Sequence, residues 1–476
     1  MSDKLKNILI WLTLGLLTIS AFFIRLENFK RGDLRSIDEI VYYRMALQMS
    51  KNIADYNTIP YGKELRASGR ELPDYFFEPL FKHPPLFSLL TTLSTKLFGP
   101  TLISSYYPSL LLGILIIPLT FLLGRLIFNN AVGLLAAFFV YLDPISIICS
   151  QKVWMDSTIA FFTLLTVLCF AHALHDKKDI FFLLSGIASG LAMTTKYTGI
   201  LGIIIICVYV ALYRRELFKN RWFMASLSIP FLMLLPWIYW NYQVYGSDLL
   251  TAQAKTEPMI AKIIDRLFYY KYILLGMILG LGILKYFQLK HSTPSALAKK
   301  ETLEQQPSPL LLWISFIFVL TFLLLIKAQI LHSLDVNFAP LTTWYQGAFS
   351  GEPPTFYFGK LVEFFFIYVF AYTALFRYHT DEKNETAILR IASLTIMVFF
   401  IAWGNYQSRY ILSALPFLIL LAANEIILIF SKIVKIHSPF LRILALGIFG
   451  VLAYYLLFKV SLVNAFVSFP NDMCYF

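Results

Sequence analysis

Apolar runs of membrane-spanning length recur along almost the whole chain, and they constrain its fold more than any motif does. A helix crossing the hydrocarbon core needs about 20 mostly apolar residues. The first such run begins at residue 8 and the last ends near residue 460. Of the 476 residues, 58% are hydrophobic and only 14% charged, too little charge to cover a soluble surface. The chain reads as an all-α polytopic membrane protein.

Counted by that length, spans fall near 8–24, 103–127, 131–149, 154–174, 180–195, 197–213, 222–240, 269–287, 309–327, 360–377, 388–403, 409–430 and 439–460, about thirteen in all. The basic residues sort into alternate loops. One set holds Lys177/Lys178, Arg214/Arg215, Lys285/Lys290, Arg377/Lys383 and Lys432/Lys435. Retention of basic residues assigns these loops, with Lys4 and Lys6, to the cytoplasm. The other set then faces outward and includes two long loops, 25–102 and 328–359. Arg25, Leu26 and Glu27 follow the first run where a signal peptide would carry small residues, so that run reads as a retained helix.

The net charge of +12 comes from short clusters between apolar runs rather than from a continuous basic face, which argues against nucleic-acid binding. Cys149, Cys169 and Cys207 lie in or beside apolar runs and read as small buried side chains. There is no CxxC pair, no GxxxxGK[ST] and no G-x-G-x-x-G opening a helix, and the cytoplasmic loops are too short for a nucleotide-binding domain. Chemistry is therefore expected on the outer side or within the bilayer.

The outer segments are where polar groups gather. Within 25–102, the stretch 37–50 has helical apolar spacing and 84–97 follows a Pro pair as a second juxtamembrane segment. The loop 328–359 is rich in aromatic residues, Trp344 and Tyr345 among them, which suits an acceptor site or a lid. The polar strings are Asp38-Glu39 followed by Tyr42-Tyr43, then Lys82-His83-Pro84-Pro85-Leu86, Asp143-Pro144, Gln151 to Asp156, Lys196-Tyr197 and Gln407-Ser408-Arg409-Tyr410. Each has a plain reading alone. Asp38-Glu39 suits the positive end of a helix. Lys82, Lys196 and Arg409 suit snorkelling at the interface, and the tyrosines an aromatic belt. Asp156 is different, because an ionisable group at membrane depth is costly and by default marks a site.

Taken together, two carboxylates from separate outer segments and cations from three others suit group transfer from a lipid phosphate. A carboxylate takes the proton of the attacking hydroxyl or amine. The phosphate leaving group needs only cations to balance its charge where the dielectric is low.

In this order and spacing the strings resemble the GT-C class of integral-membrane glycosyltransferases, in particular the dolichyl-phosphate-mannose protein mannosyltransferases and the bacterial aminoarabinose transferases of lipid A. The similarity runs over most of the chain: Asp38-Glu39 after helix one, His83-Pro84-Pro85-Leu86, Tyr107-Pro108-Ser109 leading to Leu123-Gly124-Arg125 with Tyr in place of the first Arg of the family string, Asp156, Gly186 to Tyr197, and Ser408 to Leu412 with Pro416. The resemblance implies a single GT-C transmembrane domain over 1–476, with the catalytic Asp in loop 25–102. It further implies Asp38 as base, Glu39 beside it as orienting group and Asp156 as second acid. Lys82, His83, Lys196 and Arg409 would contact the donor phosphate, with Lys82 supplying charge and His83 a hydrogen bond; Tyr42, Tyr43, Tyr345 and Tyr410 would line the substrate.

The implied partners are a polyprenyl-phosphate sugar donor, a lipid, glycan or protein acceptor, and membrane lipids. The implied location is the plasma (inner) membrane, with the site on the periplasmic or extracellular side and inverting chemistry. No cofactor is obligatory, and a divalent cation at Asp38 and Asp156 stays open. Neither a large soluble C-terminal domain of the oligosaccharyltransferase kind nor a MIR-type insertion can be read, which suggests a bacterial or archaeal member. Two other readings compete. A secondary transporter would carry its charges near the bilayer midplane, whereas here they gather at helix ends. A lipid-linked oligosaccharide ligase or polymerase would rely on Arg-rich outer loops.

Overall fold

A computed structural model describes residues 3–30, 36–69, 72, 74–248, 356–376, 385–403, 407–435 and 437–454. The expected spans 269–287 and 309–327, and loop 328–359 apart from its last four residues, lie outside the described residues. So does Tyr345. The chain forms two compact units, one of residues 1–253, 360–399 and 407–476, the other of 254–359 and 400–406. The helices and the cavity described below belong to the first unit, save the ends of two helices.

α1 (Asp3–Lys30) is a membrane helix whose Leu12, Leu16 and Phe23 side chains are exposed on its outer face. α2 (Ile37–Lys51) covers the first amphipathic stretch. It starts at a capping box: the Ser36 hydroxyl accepts the Glu39 N–H at 3.3 Å while the Glu39 carboxylate accepts the Ser36 N–H at 3.1 Å. α3 (Ile59–Ala67) opens with Pro60, whose missing N–H costs nothing in a first turn. α4 (Leu86–Phe98) follows the Pro84-Pro85 pair, which cannot extend a helix backward.

α5 (Leu102–Ile127), α6 (Asn130–Leu142) and α7 (Pro144–Ser150) come next. The sequence pattern makes 131–149 one span, but α6 and α7 meet at a 60° bend. The cause is local. Pro144 has no N–H to continue α6, and Asp143 turns its carboxylate to accept the Ser146 N–H at 2.7 Å, capping a new helix.

Around this bend lies a buried polar cluster. Arg25, 1% exposed, donates to Ser146 Oγ (3.4 Å), Ser150 Oγ (3.2 Å) and the carbonyls of Val140 and Gly113 (both 3.4 Å). A Cβ at Gly113 would lie 2.6 Å from Ser150 Cβ, so only glycine lets α5 approach α7 this closely.

α8 (Asp156–Asp176), α9 (Ile180–Thr195), α10 (Leu201–Tyr213) and α11 (Arg221–Tyr245) complete the first half. Beyond the undescribed stretch come α12 (Phe356–Phe364), α13 (Tyr368–Phe376), α14 (Thr386–Trp403), α15 (Leu415–Val434) and α16 (Pro439–Tyr454). The tighter 3₁₀ segment Ser408–Ala414 leads into α15. Tyr368 of α13 donates to the second Asp143 oxygen at 2.7 Å, so the acid at the bend is saturated.

Among the described residues five helices are long and apolar enough to cross a membrane, or six if the bent pair is one span. Two of the thirteen expected spans lie outside the described residues, and several others are shorter helices, among them 180–195 and 197–213, which part at Lys196 as expected. Run 360–377 is interrupted between α12 and α13.

The long loop after α1 is fastened to the bundle by aromatic packing. Tyr42 meets Phe87 edge-on at 5.1 Å, and Tyr56 meets Trp237 of α11 at 5.7 Å. Tyr42, Tyr56, Phe81 and Phe87 are each at most 5% exposed. Ring pairs of this kind add about 0.5–1.5 kcal/mol each beyond the area they bury. The loop is therefore a folded cap over the end of the bundle.

Candidate active site

A cavity of about 180 Å³ lies under this cap. Asp38, in the first turn of α2, reaches it from one side, and Asp156, the first residue of α8, from another. Lys82 and His83 come from the segment before the Pro pair, Lys196 from the extended turn after α9, and Arg409 with Tyr410 from the 3₁₀ segment. Seven of the residues singled out in the sequence thus share one cavity with Tyr42, although they are spread over five segments of the chain.

Its centre is an ion pair. Arg409 Nη2 donates to Asp38 Oδ2 at 2.6 Å, and Arg409 Nε donates to Gln407 at 2.7 Å. The guanidinium lies 4.4 Å from the Trp154 ring centre and 5.4 Å from that of Tyr410, two contacts that fix its plane. The Asp38 side chain is nevertheless 49% exposed, against 16% for Arg409. One carboxylate oxygen is held while the group stays open to the cavity. Lys196 sits 4.7 Å over the Tyr410 ring.

Burial, opposed by Asp156 and Asp38, pushes the Lys196 ammonium below the usual lysine range. Lys82 is lowered too, by burial first and then by the neighbouring Lys196 and Arg409, against the pull of Asp38. His83 is pushed well below the ordinary histidine value by burial and by Lys196, Lys82 and Arg409, so its ring is neutral at pH 7. Its buried Nδ1 has no hydrogen-bond partner among the described residues. Tyr42 is raised well above the ordinary tyrosine value by burial and by Asp38, which keeps its hydroxyl protonated.

Two expectations need correcting. Glu39 does not line the cavity. Its carboxylate is fully buried, serves the α2 capping box, and accepts hydrogen bonds from Ser36 Oγ (3.0 Å), Tyr106 (3.4 Å) and Lys152 (3.4 Å). The Ser36-x-x-Glu39 spacing is itself a capping-box signature, and that signal outweighs an orienting role toward the acceptor. Tyr43 is also elsewhere, donating to the Pro100 carbonyl at 3.4 Å. Arg409, expected to contact the donor phosphate, lines the cavity and pairs there with Asp38. Trp154 and Gln407, which orient that arginine, lie within the polar strings read from the sequence, where they carried no assigned role. Trp154 is tied down in turn, its indole donating to Ser36 Oγ at 3.1 Å and its carbonyl accepting from Ser109 at 2.8 Å.

A divalent ion suits this donor set poorly. Asp38 already holds a guanidinium, three cations crowd the same space, and among the described residues no three His, Cys, Asp or Glu side chains converge.

Comparison with known proteins agrees with the fold. Residues 82–240 match the family model described as dolichyl-phosphate-mannose-protein mannosyltransferase. An uncharacterized protein of Aquifex aeolicus (strain VF5) is 27% identical over 267 residues, 54% of this chain and 52% of that protein, so the chain spans about half the length of this curated relative. Among solved structures, ArnT from Cupriavidus metallidurans bound to undecaprenyl phosphate is 14% identical, with a TM-score of 0.52 over 99% of this chain and 67% of that one. The archaeal oligosaccharyltransferase AglB from Archaeoglobus fulgidus, in complex with an inhibitory peptide and a dolichol-phosphate, is 16% identical, with a TM-score of 0.57 over 98% of this chain and 57% of that one.

The chain is an integral membrane protein with the GT-C fold. The match to the mannosyltransferase family model covers residues 82–240, about a third of the chain, and includes several of the strings that carry the resemblance.

Proposed function

We propose that the protein is an inverting glycosyltransferase that moves a sugar from a polyprenyl-phosphate donor to an acceptor hydroxyl or amine at the outer face of the plasma membrane. One observation carries this reading: Asp38 is half open to a cavity that also contains Asp156, Lys82, Lys196 and Arg409. The acceptor oxygen or nitrogen attacks the anomeric carbon from the face opposite the phosphate. The bond from that carbon to the phosphate oxygen breaks, and the acceptor proton passes to Asp38. The lipid phosphate departs as an anion balanced by Lys82 and Lys196, so no general acid is required. Arg409 keeps Asp38 Oδ2 occupied and leaves Oδ1 to the acceptor. The neutral His83 ring, with its unpartnered nitrogen, suits a hydrogen bond to a donor oxygen rather than a charge contact.

A lipid tail in the bilayer would hold the donor phosphate at the depth of these helix ends, which supplies positioning. That ArnT and AglB were solved with undecaprenyl phosphate and a dolichol-phosphate supports a donor of this class. A secondary transporter is the weaker reading, since the charged groups share a capped cavity at helix ends. The test is transfer of a labelled sugar from synthetic polyprenyl-phosphate mannose, glucose and aminoarabinose to membrane extract by purified protein. The reading requires turnover with at least one donor and its loss in Asp38→Asn; turnover equal to wild type in that variant removes the base.

A further inference from the structure

A second cavity, of about 320 Å³, lies along α2 beyond the first, and Val41 borders both. It runs between α2 and α3 as far as Lys51. At 1.5 Å per residue, its near end is about 4.5 Å along the helix axis from Asp38 and its far end about 20 Å. From Val41 to Lys51 the cavity itself follows α2 for about 15 Å, which accommodates a short chain of ligand units.

The lining is mixed, with Val41, Met45, Leu47, Pro60 and Tyr61 beside charged and amide groups, and its charges balance. Arg44 and Lys51 stand against Asp55 and Glu64, and the amides of Gln48 and Asn57 lie between them. At the middle, Arg44 pairs with Glu64 through both carboxylate oxygens, one of them at 3.1 Å. The guanidinium is stacked 4.8 Å over the ring of Tyr61, which is itself 7% exposed. The pair stays 44% and 59% exposed. Exposed ion pairs add about 0–1 kcal/mol to stability, so stability alone does not account for a bidentate pair fixed on a buried ring and facing an open cavity. It is a rigid, planar set of donors and acceptors whose ordering cost is already met.

We infer that this cavity binds the saccharide portion of the acceptor, as a neutral, hydroxyl-rich chain lying along α2 with Arg44 and Glu64 reading its hydroxyls. Zero net lining charge disfavours a phosphorylated ligand, and an acyl chain would offer no polar partner to the four charged side chains, whereas a saccharide offers hydroxyls to them and C–H faces to Tyr61 and the aliphatic side chains. This rests on the glycosyltransferase reading, and it separates glycan acceptors from protein and lipid ones.

The test is saturation-transfer NMR with mannotriose, cellotriose and chitotriose on the full chain in phosphatidylcholine nanodiscs, without donor. At least one trisaccharide is expected to bind wild type. Arg44→Gln and Glu64→Gln, both exposed and tolerant positions, are each expected to weaken it about tenfold, the effect of losing a charge-assisted hydrogen bond. Tyr61→Leu should do the same by freeing the pair. Asp38→Asn should bind the trisaccharide as wild type does while losing sugar transfer, which separates this inference from the proposed activity. It is overturned if no trisaccharide binds, if the Arg44 and Glu64 variants bind as wild type, or if a serine-containing peptide binds here and the trisaccharides do not.

Discussion

Two places in this molecule set an arginine among acidic and hydroxyl groups, and they differ in what surrounds them. At the α6–α7 bend, Arg25 is 1% exposed and donates to four acceptors, while Asp143, 0% exposed, caps α7 and takes the Tyr368 hydroxyl. At the cavity, Arg409 holds one oxygen of Asp38, and the acid remains half open. The first cluster is saturated and does structural work. The second keeps an unsatisfied face toward a space lined by further charges. Charge at membrane depth is a default sign of function, but the comparison shows that the satisfied valence matters more than the charge.

Substitutions can break this contrast. Asp38→Asn is expected to lower sugar transfer by about 10²–10⁴-fold, the range for losing a general base, with a thermal midpoint close to wild type. A coupled fall in stability would make Asp38 another structural acid. Arg25→Met should act oppositely. Stranding the polar groups at the bend should cost about 3–5 kcal/mol, read as a large drop in the melting temperature of detergent-solubilised protein.

Arg409→Lys retains charge but cannot occupy Asp38 and Gln407 together or stack as flatly on Trp154. A kcat loss of about tenfold or more with little change in donor KM is expected, whereas a phosphate contact would raise KM. Lys82 and Lys196 sharpen the comparison through pH. Both ammonium groups are held below the usual lysine value of about 10.4. A lowered pKa means that the charge is lost earlier as pH rises, so donor affinity should fall below the ordinary lysine range. Lys196→Arg should carry that alkaline limb upward; an unchanged limb would remove Lys196 from donor binding. The smallest effect is expected at His83. Its ring is already neutral, so His83→Gln should keep most activity and leave the pH profile unchanged near 6.5.

Much of this was legible in the sequence, for physical reasons that differ by residue. Helical spacing in 37–50 and the Pro pair at 84–85 foretold α2 and α4, because apolar period and lost N–H groups act locally. The shared cavity of Asp38, Asp156, Lys82, Lys196 and Arg409 followed from strings whose order resembles a family rather than from any local rule. The partnership of Arg409 with Asp38 was not legible, since 371 residues separate them and only the folded chain joins them. Glu39 was misread although its signal was present: a Ser three residues before a Glu marks a cap as readily as a catalytic pair marks a site. The bend after Asp143 was likewise written in Asp-Pro, but a continuous apolar run masked it.

The 3₁₀ segment bearing Arg409 enters the membrane only after most of the chain has been made. Until then Asp38 has no guanidinium partner and the cavity lacks the wall that this segment supplies. A ribosome inserting this protein helix by helix therefore makes Asp38, Lys82, Asp156 and Lys196 well before the cavity they share can close.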